Sequence, residues 1–200
     1  MARPRMFDET AVLDAAAAQF RVHGFADTST ERLCEAAGVR RSSLYNTFTS
    51  KDELFVRALG RYTDSIRERQ TAVLADCDVA GGDRIRALLD LVIAEERDAR
   101  SEGRAAGCMV VLTFMNPDLR ERDERIARIL EHDLRERLAL LAGAIRAGRL
   151  DGSIAPDADP ERGALVVTTV ISGLRVTAQA GIDTDTLRQI ALDGLRSLLT

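Results

Sequence analysis

An all-α fold is what this sequence predicts, and three observations carry the prediction. Threonine or serine followed three residues later by glutamate stands just ahead of an apolar-periodic run at Thr28 with Glu31 and again at Ser50 with Glu53. That spacing lets a hydroxyl cap one orphan backbone N–H while the glutamate reaches back to another, so it marks a helix start. Apolar residues recur at intervals of three and four along most of the chain. The composition agrees, with 46% hydrophobic residues but only 4% aromatic ones and no tryptophan, a balance of Ala, Leu and Arg that suits helices.

Taken in order, Met1 to Met6 is a terminal arm whose Arg3 and Arg5 are either solvated or placed on phosphate or in a minor groove. The first helix is expected from Asp8 to Val22, with Val12, Leu13, Ala16, Ala17 and Phe20 as its buried stripe and His23–Gly24 closing it. A second helix runs from the Thr28 cap to Ala37 and stops at Gly38, where a left-handed backbone costs glycine nothing. A third covers Arg41 to Thr47. The fourth starts at the Ser50 cap and runs from Lys51 to Leu74, about 36 Å at 1.5 Å per residue. Gly81 and Gly82 are read as a break before a helix over 84–100 that buries Ile85, Leu88, Leu89, Val92 and Ile93. The stretch 105–116 is apolar on nearly every side and is read as the central helix of a second domain, ended by Pro117. A long helix over 119–147 follows, then a loop over 148–159, a broadly apolar helix over 161–181 and a last helix over 186–199. This gives residues 1–50 as a helix-turn-helix domain, 51–75 as a linking helix and 76–200 as a helical effector-binding and dimerisation domain.

The third helix points to function. Leu44 and Phe48 anchor one side of it. The other side carries Arg40, Arg41, Ser42, Ser43, Tyr45, Asn46 and Thr47, that is, guanidinium forks for guanine edges or phosphates, an amide suited to adenine, and hydroxyls for phosphate oxygens. Two short helices about a glycine turn are the geometry that lays a second helix in the major groove. Lys51 stands in the first turn of the fourth helix, where the dipole favours acids. A phosphate bound at that helix start would account for it. Thr28, at the start of the second helix, joins the candidate DNA-binding set.

Over some fifty positions the chain resembles the DNA-binding domain of the TetR family of bacterial transcription regulators. The matching residues are Ala16 to Phe20, His23 to Phe25, Thr28 and Ser29, Ala36 to Val39, Leu44 with Tyr45, Phe48, and Ser50 to Leu54. Cys34 stands where the family usually has alanine. The resemblance implies that Arg40 to Thr47 is the recognition helix and that Tyr45 and Lys51 touch phosphates. It also implies a homodimer joined through the last two helices, a palindromic double-stranded DNA site, and a small-molecule effector bound among the middle helices. Candidate dimer residues are Val167, Ile171, Leu174, Leu187, Ile190 and Leu195. Candidate effector contacts are Cys108, Leu112, Met115 and His132, with Thr168 or Thr169 as polar partners. Cys108, four residues after Arg104 and near a helix start, is in addition a candidate reactive thiol, and its Gly-Cys pair resembles that of some electrophile-sensing members.

Other classes fit less well. The two histidines lie on separate helices without a paired motif and no glycine-rich phosphate loop exists, which argues against an enzyme. No cofactor or metal is expected. The three cysteines, Cys34, Cys77 and Cys108, lack metal-ligand spacing and suggest a reducing compartment. No run reaches the roughly 18 apolar residues of a membrane span, and no apolar signal core opens the chain, so a cytoplasmic protein is expected. A helical interaction protein that uses this fold for packing alone would want an apolar third helix. The net charge is −4, yet residues 1–60 hold eight basic and eight acidic residues; the DNA-reading face is therefore a local arrangement rather than a basic domain.

Overall fold

The computed structural model describes residues 8–101 and 107–199; Arg3, Arg5 and Arg104 lie outside them. Ten helices and no strand occur among the described residues, and a single backbone bridge joins Ile154 to Leu199. Packing divides the chain into two compact units, Met1–Asp64 with Cys108–Leu130, and Ser65–Gly107 with Glu131–Thr200.

In the first unit, α1 (Glu9–Asp27) starts where the Asp8 carboxylate accepts from the Ala11 N–H at 3.2 Å. Gly24 interrupts it with φ 70° and ψ 178°, a conformation open to glycine and strained for other residues. The kink turns Phe25 back onto Phe20 and Phe55. α2 (Thr30–Ala37) is capped by Ser29, whose hydroxyl accepts from Arg32 N–H, one position later than the Thr28 cap expected from spacing. Thr28 is instead fully buried and donates its hydroxyl to the Gly24 carbonyl at 2.5 Å, which secures the kink. Gly38 ends α2 at φ 64°, and Val39 N–H closes the turn on the Cys34 carbonyl.

α3 (Arg41–Phe48) buries Leu44 and Phe48, as expected. α4 (Lys51–Leu74) is entered through Ser50, whose hydroxyl accepts from Glu53 N–H at 3.0 Å. Only half of the capping box forms there, because the Glu53 carboxylate pairs with Arg125 and Ser50 N–H turns to the Phe48 carbonyl. Two ion pairs fasten α4 to α1, Arg57 to Glu9 and Arg61 to Asp14.

The apolar stretch read as the centre of the second domain belongs to this first unit. α6 (Met109–Phe114) and α7 (Pro117–Arg122) pack Met109, Val110 and Leu119 into the core with Phe20, Phe55 and Leu59. Periodicity shows that such a segment wants burial but does not say in which core. The single helix expected from Leu119 onward is broken at Asp123, whose extended backbone and carboxylate cap the next helix by accepting from Arg125 N–H at 2.9 Å. Arg125 on that carboxylate, through its side chain and then its backbone, holds Asp123 below its ordinary pKa.

In the second unit, α5 (Gly81–Ser101), the later part of α8 (Glu124–Asp151), α9 (Pro160–Gln179) and α10 (Thr184–Gly194) share an aliphatic core that includes Leu88, Leu89, Leu141, Ile145, Val167 and Leu195. Gly81 and Gly82 begin α5 rather than break the chain before it. A Cβ on Gly81 would stand 2.3 Å from the Ala144 carbonyl oxygen and from Gly148 N, so only glycine allows this approach. Their N–H groups are capped across the fold by Asp151 and Ser153, each at 2.8 Å. A buried charged cluster crosses the same core, with the Arg175 guanidinium of α9 on Glu95 and Glu96 of α5, and Arg69 of α4 on Glu95.

Candidate nucleic-acid interface

The exposed side of α3 is where the polar residues of the sequence reading converge. Arg40, Arg41, Ser42 and Asn46 are exposed, and Ser43, Tyr45 and Thr47 are half-buried beside the anchored side. The division follows from the helical period: Leu44 and Phe48 hold one side in the core, which leaves 42 and 46 facing away and 43, 45 and 47 on the flanks.

Several of these groups are already oriented. Arg41 pairs with Glu31 of α2 at 3.0 Å and lies over the Tyr45 ring with its Cζ 5.6 Å from the centroid. The Tyr45 hydroxyl shares a hydrogen bond with Thr30 at 3.0 Å, so a residue of α2 that the sequence reading passed over positions it. Thr47 donates back to the Ser43 carbonyl at 3.3 Å. The Glu31 carboxyl is held below its ordinary pKa by its own backbone N–H first, then by the Ser29 hydroxyl, with Arg41 adding to these. An ionised Glu31 therefore pairs with the Arg41 guanidinium. Cys34, between the two short helices, has its thiol pushed up by burial and stays protonated as a packing group. Thr28 does not belong to the exposed set, because it is buried and committed to Gly24.

Lys51 has two partners of its own. Its Nζ lies 4.4 Å from the centroid of the Phe25 ring and 3.5 Å from the Ala26 carbonyl. Cation–π attraction and that carbonyl explain a lysine in the first turn of α4 without a bound phosphate. On the other acids of that turn, Arg122 pairs with Asp52 at 3.3 Å and Arg125 with Glu53 at 2.9 Å. Both arginines come from 108–130, and they offset negative charge that would repel a phosphate beside Lys51.

Residues 12–58 match the family described as bacterial regulatory proteins, tetR family. The chain is 33% identical over 198 residues to the HTH-type transcriptional repressor ComR of Escherichia coli (strain K12), covering 97% of this chain and 90% of the relative. The chain belongs to the TetR family. Among solved structures, the TetR family regulator CifR, a cysteine mutant complexed with 26 bp double-strand operator DNA, is 30% identical with a TM-score of 0.79, covering 98% of this chain and 99% of that one. A TetR family regulator from Agrobacterium tumefaciens has a TM-score of 0.83 at 17% identity over 96% and 97% of the two chains, a likeness of fold. This chain is accordingly a DNA-binding transcriptional regulator and not an enzyme.

For a TetR-family chain, the remaining candidates fall out unevenly. Leu112 and Met115, 39% and 72% exposed, edge an open cleft in the first unit. Cys108 is buried in that unit, with the Tyr62 hydroxyl 3.9 Å from its sulfur. His132 and Thr169 are exposed residues of the second unit, and Thr169 donates to the Leu165 carbonyl. The Thr168 hydroxyl is buried there with no hydrogen-bond partner. The six effector candidates therefore divide between two packed units, three in each. Of the dimer candidates, Val167, Ile171, Leu174, Leu187 and Leu195 are buried in the second unit's own core, and only Ile190, at 56% exposure, is on the surface. The apolar residues that α9 leaves outside are Leu165, Val166 and Val176. The expectation selected the inward stripe, since both stripes of α9 are apolar and spacing alone does not tell them apart. No group of three or more possible metal ligands occurs among the described residues, and no helix among them is long and apolar enough to cross a membrane.

Proposed function

We propose that this chain is a cytoplasmic repressor that binds a palindromic operator as a homodimer and releases it when a small apolar molecule binds. The exposed polar side of α3, held by Leu44 and Phe48, carries this reading. Arg41 and Asn46 read base edges, Tyr45 and Lys51 hold phosphates, and Arg40, Ser42, Ser43 and Thr47 complete the contact. The complex of CifR, 30% identical to this chain, with operator DNA supports this reading. Leu165, Val166, Val176 and Ile190 supply an apolar surface through which α9 and α10 pair with those of a second copy. Two readers then stand about 34–36 Å apart, or a multiple of that, to meet successive half-sites.

A gel shift on the DNA upstream of the protein's own gene, run at two salt concentrations, tests the reading. A retarded complex that weakens steeply with salt supports it; no complex at the lower salt contradicts it. A thiol trigger at Cys108 is a second reading, favoured by the Tyr62 hydroxyl that stands 3.9 Å from its sulfur and gives it a polar partner. Mass spectrometry after mild alkylation of the native protein tests it: an unmodified Cys108 with DNA binding unchanged ends that idea.

A further inference from the structure

The first unit contains a cleft of about 330 Å³, within the size range of small-molecule pockets. Three phenylalanines line it. Phe20 and Phe55 meet edge to face at 5.0 Å and 76°, Phe25 and Phe55 at 5.2 Å and 81°, while Phe20 and Phe25 lie 6.2 Å apart. Met109, Leu112 and Met115 line the same cleft. No charged side chain is among the lining residues. At the rim, Asn116 uses its side-chain oxygen to cap α7 at Leu119 N–H, which leaves its NH₂ as a donor, whereas the Thr113 hydroxyl is committed to the Met109 carbonyl at 2.6 Å. Leu112 and Met115 expose apolar surface at this lip, surface that a guest in the cleft would cover.

We propose that this cleft is a regulatory ligand site built into the DNA-reading unit, and that it takes a compact, neutral, ring-containing molecule with one hydrogen-bond acceptor. The rings and thioethers suit an apolar body, the absence of charge disfavours ions, and the Asn116 amide selects the acceptor. The link to DNA runs through Phe25. Its ring lines the cleft and also seats Lys51, at 4.4 Å, and Arg122, whose Cζ lies 5.3 Å from the centroid. A guest that shifts Phe25 therefore shifts the lysine assigned to phosphate, and it moves Arg122 relative to Asp52, 3.3 Å away. This inference rests on the proposed DNA binding for its output, but not for ligand binding itself.

Prodan, a neutral naphthalene carrying one ketone, serves as the probe, and the chain has no tryptophan to confuse its emission. Full-length protein is titrated with prodan without DNA, and DNA affinity is then measured with and without saturating prodan. Two variants accompany the wild type. Met115→Glu places a charge at the exposed lip, and Asn116→Asp keeps the α7 cap while removing the NH₂ donor. The expected result is blue-shifted emission for wild type, at least tenfold weaker prodan binding in both variants, and at least fivefold weaker DNA binding caused by prodan in wild type alone. No blue shift in wild type, or equal prodan affinity in all three proteins, overturns the site. Variant-sensitive prodan binding with DNA affinity unmoved overturns its regulatory role. Failure of the probe-free wild type to bind DNA counts against the proposed function instead, and variant-sensitive prodan binding would then still support the ligand site.

Discussion

The two packed units are held together by different chemistry. All six phenylalanines and both tyrosines of the chain fall within the residues of the first unit. The core of the second contains aliphatic residues only, crossed by the Arg175, Glu95 and Glu96 charges. Aromatic rings pack with strong preferences of distance and angle, and the Phe20, Phe25 and Phe55 group shows them. Such a core fixes the direction in which a short helix such as α3 presents its side chains. Aliphatic cores tolerate exchange of shape at constant volume. A buried ion cluster supplies the second unit with directional contacts that its hydrocarbon core lacks.

The largest effects should separate these two kinds of core. Phe48→Ala removes a side chain that is 0% exposed and should cost about 3–5 kcal/mol, read as an early urea transition together with loss of DNA binding. Arg175→Ala removes the guanidinium that lies 2.8 Å from the buried Glu96 carboxylate and should cost a similar amount, about 3–5 kcal/mol. Replacing Arg175, Glu95 and Glu96 together by Leu should recover most of that loss, also by urea unfolding. If the triple variant is as unstable as the single one, the cluster does more than satisfy its own charges and the contrast drawn here is too simple.

Smaller effects sharpen the account of the reader. Glu31→Gln frees Arg41 from its 3.0 Å ion pair and removes an acid beside the proposed DNA contact. Affinity by fluorescence anisotropy should rise about two- to fivefold, with a steeper dependence on salt. The smallest effect concerns acid stability. Asp151 is held below its ordinary pKa by the Ser153 side chain first, then by the Gly81 and Ser153 N–H groups. A depressed carboxylate contributes stability above its unfolded value, and that contribution is lost as pH falls through the lower folded value. Asp151→Asn should therefore flatten the acid limb of stability below about pH 4, with no added loss there relative to neutral pH.

Much of the reader was legible in the residues because its signals are local. Asp8, Ser50 and Gly38 mark helix ends through their own chemistry, and the anchors Leu44 and Phe48 are four apart. The Thr28 cap was misplaced by one residue because Thr28, Ser29 and Thr30 all offer hydroxyls, and the choice among them depends on the kink that brings the Gly24 carbonyl to Thr28. Longer-range facts were not legible. Gly81 and Gly82 resemble breakers until Gly148 and Ser153 are packed against them, and the apolar run at 109–114 does not declare which core it enters. Arg175 sits inside an otherwise apolar helix, and its partners lie some eighty residues away. Of the site, the α3 face was readable, whereas the seats of Lys51 and Tyr45 on Phe25 and Thr30 required the fold.

The central claim is that the outward side of α3 senses DNA sequence while Tyr45 and Lys51 hold the backbone. Anisotropy on matched and scrambled upstream DNA, for Arg41→Ala, Asn46→Ala, Tyr45→Phe and Lys51→Ala, tests it most directly. The account predicts that the first two variants lose preference between the two DNAs by about 1–3 kcal/mol per base contact, and that the last two bind both DNAs more weakly by a common factor. Unchanged affinity and preference in all four would contradict it.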